Sequence, residues 1–404
     1  NVVVGQEYVV DSYQMVQASS SMYDSDDIGL ANLAMGNEHA KPQSREESEK
    51  LLSFFGRAFY SFKDRYLFTG TLRADGSSKF IEANRWGYFP SVALGWQATE
   101  EQFVKDLNLF STLAFRMTYG VAGNNRISNN QYASTFSNVF YAADGTVQSV
   151  GLIPSATANP DLKWETTISR NVGIDFGLFD DRLSTNIDLY MNTTKDLLLR
   201  TNIPSSSGYT TQFKNVGSTE NKGIEITVTT RNVRKPQFSW NTDFNIAFFK
   251  NKVTGLNKEA TFSQESFIES IYWSAYYEAF LVKVGEPLGL IYGYVSDGFY
   301  GVDDFDYNPQ TNQYTLKAGV PGFLGMIMKP GDMKFKDLGG APDDAGNPVI
   351  SPDDDRTIIG RTQPKFFGGL NNTLNWKNID LSVFINFSVG NDILNANKIL
   401  YSTG

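Results

Sequence analysis

The residue types that could carry out chemistry are few in this chain, and their spacing favours binding over catalysis. The chain has no cysteine and one histidine, His39, so cysteine nucleophiles and cysteine-based zinc sites are excluded and any histidine-dependent triad would have to use His39. Asp180 and Asp181 are paired carboxylates, but adjacent residues of a strand point to opposite faces and cannot act on one substrate atom. We therefore predict that the protein is not an enzyme and holds no cofactor.

An aromatic cluster is the best candidate for contact with a ligand. Tyr272, Trp273, Tyr276 and Tyr277 lie within one short segment. Sugar rings have weakly polar faces that stack on aromatic side chains, and their hydroxyls hydrogen-bond to Asp, Asn and Gln. We predict these four residues as the substrate-binding residues. A strand, a membrane-interface girdle or a packing surface for a partner would use the same residue types, and these alternatives remain open.

Composition indicates a protein of many strands that does not bind nucleic acid. The 404 residues include 30 Phe, 20 Tyr, 6 Trp and 35 Gly, which suits strands and turns. The formal charge is −9, and no basic stripe that could contact phosphates is visible. No apolar run reaches the roughly 18 residues that a membrane-spanning helix needs, so a helical membrane protein is excluded and one built of strands is not.

Several segments alternate between apolar and polar residues in the way that transmembrane strands do. The pattern is strongest at 166–178, 183–192 and 379–390, and it is weaker at 52–62, 66–74, 86–96, 113–121, 224–231, 238–248 and 366–376, with 2–10 as a possible stub. These segments are longer than the five or six residues usual for soluble strands, and aromatic residues such as Trp86, Trp96 and Trp376 stand at their ends. We predict an all-β, antiparallel transmembrane barrel, rather than a soluble β-sandwich or propeller.

The connections between these strands alternate between short and long, as in outer-membrane barrels. Tight turns are predicted at 63–65, 179–182, 232–237 and 377–378, where Asp and Asn tolerate unusual φ angles. Long polar loops are predicted at about 14–50, 122–163, 193–222 and 249–364, and we assign them to the extracellular side. Residues 1–404 are thus interpreted as one barrel portion. The longest loop should contain further hairpins, with an even number of spanning strands.

Four motifs, in order along nearly the whole chain, go beyond this pattern. They are RADGSSKF (73–80) followed by NRWGYFPS (84–91), NPDLKWETT (159–167), NVG (215–217) with NKGIE (221–225), and DDRTIIG (354–360). Together they closely resemble stretches of SusC/RagA-type TonB-dependent transporters of the Bacteroidota. The resemblance implies a bacterial outer-membrane barrel that imports oligosaccharides or peptides, is energised by TonB–ExbB–ExbD and is capped by a SusD-like lipoprotein.

The chain also departs from the pattern that the resemblance implies. It contains no TonB box and no plug domain and it ends at Gly404, so we expect the plug and the closing strands to lie in polypeptide outside this chain. Relatives often carry a calcium-like acidic loop where this chain has residues 337–356, but here the regular spacing of oxygen ligands is broken. We therefore predict no metal site at this loop.

Two other functions compete with active transport at this point. One is a passive outer-membrane porin, which would have neither a plug nor a partner. The other is a secreted, β-rich protein that binds glycans, such as an adhesin. A charge placed on the lipid-facing side of a strand should cost about 2–4 kcal/mol in a barrel at mid-bilayer, and this penalty separates a membrane wall from a soluble sheet.

Overall fold

The computed structural model describes residues 1–25, 32–142, 148–209, 211–256, 266–271, 274–395 and 397–398. Within this part of the chain the principal elements are eleven long strands, which we number β1 to β11. Their bounds are Val2–Gln17 (β1), Gln43–Phe62 (β2), Tyr66–Ser77 (β3), Trp86–Gln97 (β4), Phe110–Asn124 (β5), Glu165–Leu178 (β6), Leu183–Lys195 (β7), Ser218–Lys235 (β8), Phe238–Gly255 (β9), Phe366–Trp376 (β10) and Ile379–Val389 (β11).

The chain divides into two compact units. Unit one comprises Asn1–Asp181 and Asp188–Ser218, and its strands β1 to β6 are hydrogen-bonded in chain order, with β7 next to β6. Unit two comprises Arg182–Ile187 and Thr219–Gly404, and it contains β8 to β11, again in chain order. In unit two β9 pairs directly with β10, from Phe238 opposite Trp376 to Ala247 opposite Phe367. No described strand is inserted between β9 and β10, and the described strands of 266–361 pair in smaller sheets of their own. The described hairpins of this stretch therefore add no strand to the sheet that contains β9 and β10.

The two faces of the strands of unit one differ in what they expose. Large apolar side chains such as Leu72, Met117 and Val172 remain 52–56% exposed on one face. On the other face, the polar Ser53 and Asp75 are buried, at 0% and 7% exposure. A sheet in a water-soluble protein buries its apolar face and exposes its polar face. The opposite arrangement seen here fits the wall of a barrel whose outer face contacts lipid.

The first two strands are longer than the alternation predicted. The predicted stub at 2–10 is a strand that runs to Gln17, and its partner β2 begins at Gln43, with the ladder continuous to Gln17 opposite Gln43. The connection between them is thus shorter than the predicted loop at 14–50. The pattern failed here because a strand that continues beyond lipid needs no apolar face, whereas its backbone ladder is unaffected.

Three of the four predicted tight turns use left-handed backbone conformations, and the fourth, predicted at 232–237, is shorter than expected because β8 continues to Lys235 and β9 begins at Phe238. Lys63 and Asp64 have φ of 54° and 53°, and Lys377 has φ of 52°. Phe179, Asp180 and Asp181 are also left-handed. Asp tolerates this region well, whereas Lys and Phe adopt it at a cost that the flanking strand ladders must offset.

Shorter elements lie in the longer connections. Paired strands occur at Ser20–Tyr23 with Gly36–His39, Thr135–Ala142 with Gln148–Ala156, Leu198–Asn202 with Thr211–Asn215, Ser296–Phe299 with Met333–Phe335, Phe305–Asn308 with Gln313–Leu316 and Gly322–Phe323 with Val349–Ile350. A four-stranded sheet contains, in order, Ser266–Ile271, Ser274–Lys283, Leu290–Tyr294 and Arg356–Arg361. The short helices of the described residues are Leu33–Met35, Glu82–Asn84, Ala98–Glu100, Gln102–Lys105, Ser205–Ser207 and Val302–Asp304. None of the helices in the described residues is long and apolar enough to cross a membrane.

Candidate functional site

Two of the sequence motifs meet in a buried core of unit one, which we call the hub. The hub consists of Phe80, Phe89, Ile127, Leu162 and Trp164, with exposures of 0–8%. The Trp164 ring lies 5.5 Å from the ring of Phe80 and 5.4 Å from that of Phe89, and its indole N–H donates to the Arg85 carbonyl oxygen at 2.9 Å. The motifs at 73–91 and 159–167 are therefore held against each other by packing.

Asparagine side chains from the motifs tie this core to a neighbouring hairpin. The Asn159 amide donates to the Phe213 carbonyl oxygen at 2.6 Å. The side chain of Asn215 accepts the Lys163 backbone N–H at 2.9 Å and donates to the Lys163 carbonyl oxygen at 2.8 Å. These side chains satisfy backbone groups that a helix or a sheet does not pair. The motif residues thus organise connecting segments and are occupied by contacts within the chain.

A charged cluster on the polar face joins three strands, β1, β2 and β3. The Arg73 guanidinium donates to Asp75 at 2.7 Å, to Glu7 at 2.8 Å and to the Ser53 hydroxyl at 2.9 Å. Glu7, Ser53 and Asp75 stand opposite one another in the registers of the three strands, so the guanidinium bridges one row. The cluster combines one cation with two carboxylates, which gives a formal charge of −1.

A second cluster of the same composition joins β5, β6 and β7. Arg116 donates to Asp175 at 2.6 Å and 2.8 Å and to Asp188 at 3.1 Å. Gly173 leaves room for this arrangement, because a Cβ there would lie 2.8 Å from the guanidinium of Arg116 and 2.7 Å from Asp188. The polar face therefore presents at least two sites with a fixed cation and an excess of one carboxylate. Such a surface favours neutral or cationic solutes over polyanions.

A carboxylate next to the end of β4 anchors two aromatic residues of unit one. Glu101 accepts the Tyr66 hydroxyl at 2.7 Å, the Arg65 guanidinium at 2.9 Å and the Trp96 indole N–H at 3.4 Å. The hydrogen bond from Tyr66, together with those from Trp96 and Arg65, lowers the pKa of Glu101. Trp96 also stacks on Phe115 with ring centroids 5.4 Å apart. The segment after β4 thus fixes the aromatic side chains at the start of β3 and the end of β4.

The connection between β9 and β10 in unit two contains buried apolar residues. Leu290, Tyr300, Phe305 and Ile350 are buried with exposures of 0–5%. The carboxylate of Asp355 is fully buried and accepts the backbone N–H groups of Leu338 at 2.6 Å and Ser351 at 2.7 Å. Two charge-assisted hydrogen bonds therefore hold distant parts of this connection together.

The same connection exposes a pair of tyrosines, Tyr307 and Tyr314, which we call the platform. They stand opposite each other on the strands Phe305–Asn308 and Gln313–Leu316, with ring centroids 4.9 Å apart. Their exposures are 49% and 38%, and the Tyr307 hydroxyl donates to Asn312 at 2.9 Å. Tyr314 also lines a cleft of about 720 Å³; the other lining residues are Asn312, Gln313, Thr315, Leu316, Gly322, Met326, Ile327, Met328 and Lys329. Exposed rings beside amides and a cation can stack on sugar faces or apolar side chains.

The sequence-predicted substrate residues lie at the margin of what the structure describes. Tyr272 and Trp273 fall outside the described residues. Tyr276 and Tyr277 belong to the strand Ser274–Lys283, but their side chains are outside the description. That strand is next to Leu290–Tyr294 in the four-stranded sheet. Their role in binding therefore stays a prediction. The platform was not predicted, although two tyrosines flanking the turn-forming run NPQTNQ are a signal for a cross-strand aromatic pair.

The acidic loop between β9 and β10 uses its carboxylates for hydrogen bonds to the backbone. Asp343 accepts the N–H groups of Ala345 at 2.9 Å and Asn347 at 2.7 Å, and the bonds from Asn347 are the main cause of its lowered pKa. Among the described residues no three His, Cys, Asp or Glu side chains are grouped so that they could hold a metal ion. His39 lies at the end of a short exposed strand, with its ring 3.3 Å from the Ser20 hydroxyl.

Comparisons with known proteins agree with this architecture. Residues 3–324 match the family described as "TonB dependent receptor-like, beta-barrel". TonB-dependent receptor P3 of Formosa agariphila is 35% identical over 399 residues, which cover 97% of this chain and 38% of that protein. TonB-dependent receptor SusC of Bacteroides thetaiotaomicron is 39% identical over 219 residues, covering 51% of this chain and 21% of that protein. The solved RagAB peptide importer in its "closed-closed" state superposes with a TM-score of 0.74 at 25% identity, covering 96% of this chain and 39% of that one. The chain thus spans less than half the length of these relatives.

Proposed function

This chain belongs to the TonB-dependent receptor-like β-barrel family, and we propose that the protein it is part of imports an oligosaccharide or oligopeptide across the outer membrane. Members of the family are transport proteins of the bacterial outer membrane and not enzymes. The predicted transmembrane barrel, its location and the resemblance to SusC/RagA-type transporters are confirmed. The solute, the partner and the energy source of this protein are part of the proposal.

The proposal rests on the difference between the two faces of the barrel wall, one apolar and exposed and the other polar. In a barrel, the exposed apolar face meets lipid and the polar face lines the lumen. Arg73 and Arg116 with their carboxylate partners then lie on the lumen side, where each cluster adds one net negative charge. An acidic, hydrogen-bonding lumen suits a neutral glycan or a peptide and disfavours a polyanionic solute.

The connections supply the contacts that select the solute. We place the long connections predicted at about 14–50, 122–163, 193–222 and 249–364 outside the cell and the short turns on the periplasmic side. The first of these connections is shortened to 18–42 by the ends of β1 and β2. Within the last of these, Tyr272, Trp273, Tyr276 and Tyr277 are the proposed substrate-binding residues, and the exposed platform of Tyr307 and Tyr314 provides a further stacking surface. Aromatic rings stack on sugar faces and also pack against apolar peptide side chains. These aromatic residues therefore do not by themselves discriminate between an oligosaccharide and an oligopeptide.

The proposed partners follow from the type of relative that the chain resembles. A SusD-like lipoprotein would cap the external connections and retain the solute. TonB–ExbB–ExbD would supply the energy for import. Both features distinguish the proposal from a passive porin, and membrane insertion distinguishes it from a secreted adhesin.

The test uses the full-length transporter isolated from outer membranes. We expect a lipoprotein to co-purify with it and mass spectrometry to detect a bound oligosaccharide or peptide. Cells that carry the transporter should take up that solute only while TonB is present. Uptake that continues unchanged without TonB would indicate a passive porin, and recovery of the protein in the secreted fraction would indicate an adhesin.

A further inference from the structure

A groove on the apolar face of unit two lies where three strands reach their short turns. It has a volume of about 380 Å³ and is lined by Phe238, Leu374, Trp376, Ile379 and Leu381. Phe238, Trp376 and Ile379 stand in one row across β9, β10 and β11, and Leu374 and Leu381 stand opposite each other two residues further along β10 and β11. Trp376, Ile379 and Leu381 are exposed by more than half of their surface. An open apolar groove at the membrane boundary fits an acyl chain.

Two cations lie at the turn end of this groove. The Lys377 ammonium lies 5.7 Å from the centre of the Trp376 ring. The Lys377 N–H donates to the Gln237 carbonyl oxygen at 3.0 Å, so the turn after β10 lies beside the turn after β8.

Arg234, near the end of β8, is the second cation. Asn232 donates from its amide to the Thr242 hydroxyl at 2.7 Å, which places Asn232 on the face of Trp240 and Phe238. Alternation along the strand then places Arg234 on that same face.

The charge around the groove is unbalanced. Residues 231–242 and 372–379 contain no Asp or Glu. None of the salt bridges formed within the described residues involves Arg234 or Lys377. A comparable apolar groove in unit one, of about 400 Å³, includes Tyr66 and Trp96, and there both side chains donate to the carboxylate of Glu101. Aromatic residues at the ends of strands are therefore not enough to create a site for an anion.

We propose that this groove binds an anionic glycerophospholipid, with an acyl chain against Trp376, Ile379 and Leu381 and the phosphate held by Arg234 and Lys377. The groove supplies a long apolar surface, and its edge supplies two cations that form no salt bridge within the described residues. The carboxylates next in sequence, Asp243 and Asp380, lie on the opposite face of the strands. Basic residues attract anionic lipids at membrane surfaces with an energy that corresponds to about a fivefold gain in affinity per charge. The occupant would stabilise the junction of β8, β9 and β10 on the side of the short turns.

The proposal is tested by native mass spectrometry of the full-length transporter titrated with phosphatidylglycerol and, separately, with phosphatidylethanolamine. The double variant Arg234→Gln/Lys377→Gln should bind phosphatidylglycerol about thirtyfold more weakly. The double variant Arg234→Lys/Lys377→Arg keeps both charges and should bind like the wild type. Arg231→Gln is the matched control, because it removes the same charge from the same strand but lies on the face of Thr229, which contacts Asp243.

Three outcomes would overturn the proposal. One is equal binding of phosphatidylglycerol by the wild type and the charge-free double variant, which means that the groove holds general boundary lipid only. Another is equal binding of both lipids by the wild type. The third is an equal loss of binding with Arg231→Gln, which means that only the overall charge of the protein matters. Heat-modifiable migration on gels verifies that each variant is assembled, and the charge-conserving variant supplies the comparison if the glutamine variant is not.

Discussion

The hub and the platform are both built from aromatic residues of connecting segments, but they use these residues in opposite ways. In the hub, Phe80 and Leu162 have no exposed surface and Trp164 is 8% exposed, with contributions from segments that are far apart in the chain. In the platform, Tyr307 and Tyr314 are joined by one short hairpin and expose 49% and 38% of their surface. The hub residues are buried by packing within the chain, whereas the platform residues keep exposed surface that a ligand can contact.

This difference explains why the motifs identify the family without identifying the solute. Trp164, Asn159 and Asn215 are fixed by contacts within the chain, so the same residues suit any transporter that builds its connections on this core. Tyr307 and Tyr314 contact each other, and Tyr314 also packs on Phe305, but both rings keep a large exposed surface on which we propose that the solute stacks. On this proposal, the choice of solute depends on exposed residues, which the fold constrains less than the buried hub.

The largest effect should follow from removing the central ring of the hub. Trp164→Ala deletes the contacts with Phe80 and Phe89, and the cavity should cost about 3–5 kcal/mol in the free energy of unfolding. Trp164→Phe keeps an aromatic ring but loses the donor to Arg85, and it should cost less. Urea unfolding of the full-length protein in lipid vesicles measures both. A cost below about 1 kcal/mol for the alanine variant would show that the hub does not organise the connections.

The next largest effect on stability should follow from a charge placed on the lipid-facing side of a strand. Val172 lies near the middle of β6 on the exposed apolar face, opposite Met117. Val172→Arg should cost about 2–4 kcal/mol, because the charge would lie in lipid.

Asn171→Arg is the matched control for this prediction, since the adjacent residue faces the lumen and its charge would stay hydrated. Gly173 would be a poor control, because any side chain there meets Arg116 and Asp188. Vesicle unfolding with equal costs for the two arginines would contradict the assignment of the faces.

A smaller effect is expected from the buried carboxylate in the connection between β9 and β10. Asp355→Ala leaves the N–H groups of Leu338 and Ser351 without their acceptor, which should cost about 2–3 kcal/mol locally. Hydrogen exchange at these two amides measures the loss of protection. Asp353→Ala, at an exposed neighbouring carboxylate, should leave their exchange unchanged. Unchanged exchange in the Asp355 variant would contradict the proposed role of this carboxylate.

The smallest effect concerns pH and the turn that contains Glu101. Its pKa is lowered in the folded protein, so its stabilising contribution is complete above the ordinary carboxylate pKa and is lost as the pH falls through the lower folded value. The difference in stability between wild type and Glu101→Gln should therefore shrink on acidification below about pH 4. Unfolding midpoints from pH 7 to pH 3 measure it. A difference that grows towards low pH would show that the sign is wrong.

Much of the wall could be predicted from the sequence, because lipid on one side and water on the other impose a two-residue period. β6, β7 and β11 show that period clearly. The period carries no information about parts of strands that lie outside lipid, so it predicts a loop at the end of β1 and the start of β2, where the structure has a continuous ladder. Short strands such as Phe305–Asn308 contain too few residues for the alternation of apolar and polar side chains to be recognised.

The candidate site was less predictable for a different reason. Residues 80 and 164 meet only because strands between them place their connections side by side, and no local pattern carries that information. The platform requires two tyrosines to be paired across a turn, which is a weak signal until the hairpin is known. The predicted cluster of Tyr272, Trp273, Tyr276 and Tyr277 rests on residue type alone, and its role stays a prediction.

Uptake of the co-purified solute per assembled transporter tests the central contrast most directly. Full-length wild type, Trp164→Ala and Tyr307→Ala/Tyr314→Ala are compared in cells that contain TonB, with Tyr307→Phe/Tyr314→Phe as the control that keeps both rings. We expect the hub variant to reduce the number of assembled transporters but not the uptake per copy. The platform alanine variant should assemble normally and lose about tenfold in uptake at low solute concentration. Normal uptake per copy in the platform variant, or a tenfold loss per copy in the hub variant, would contradict the account.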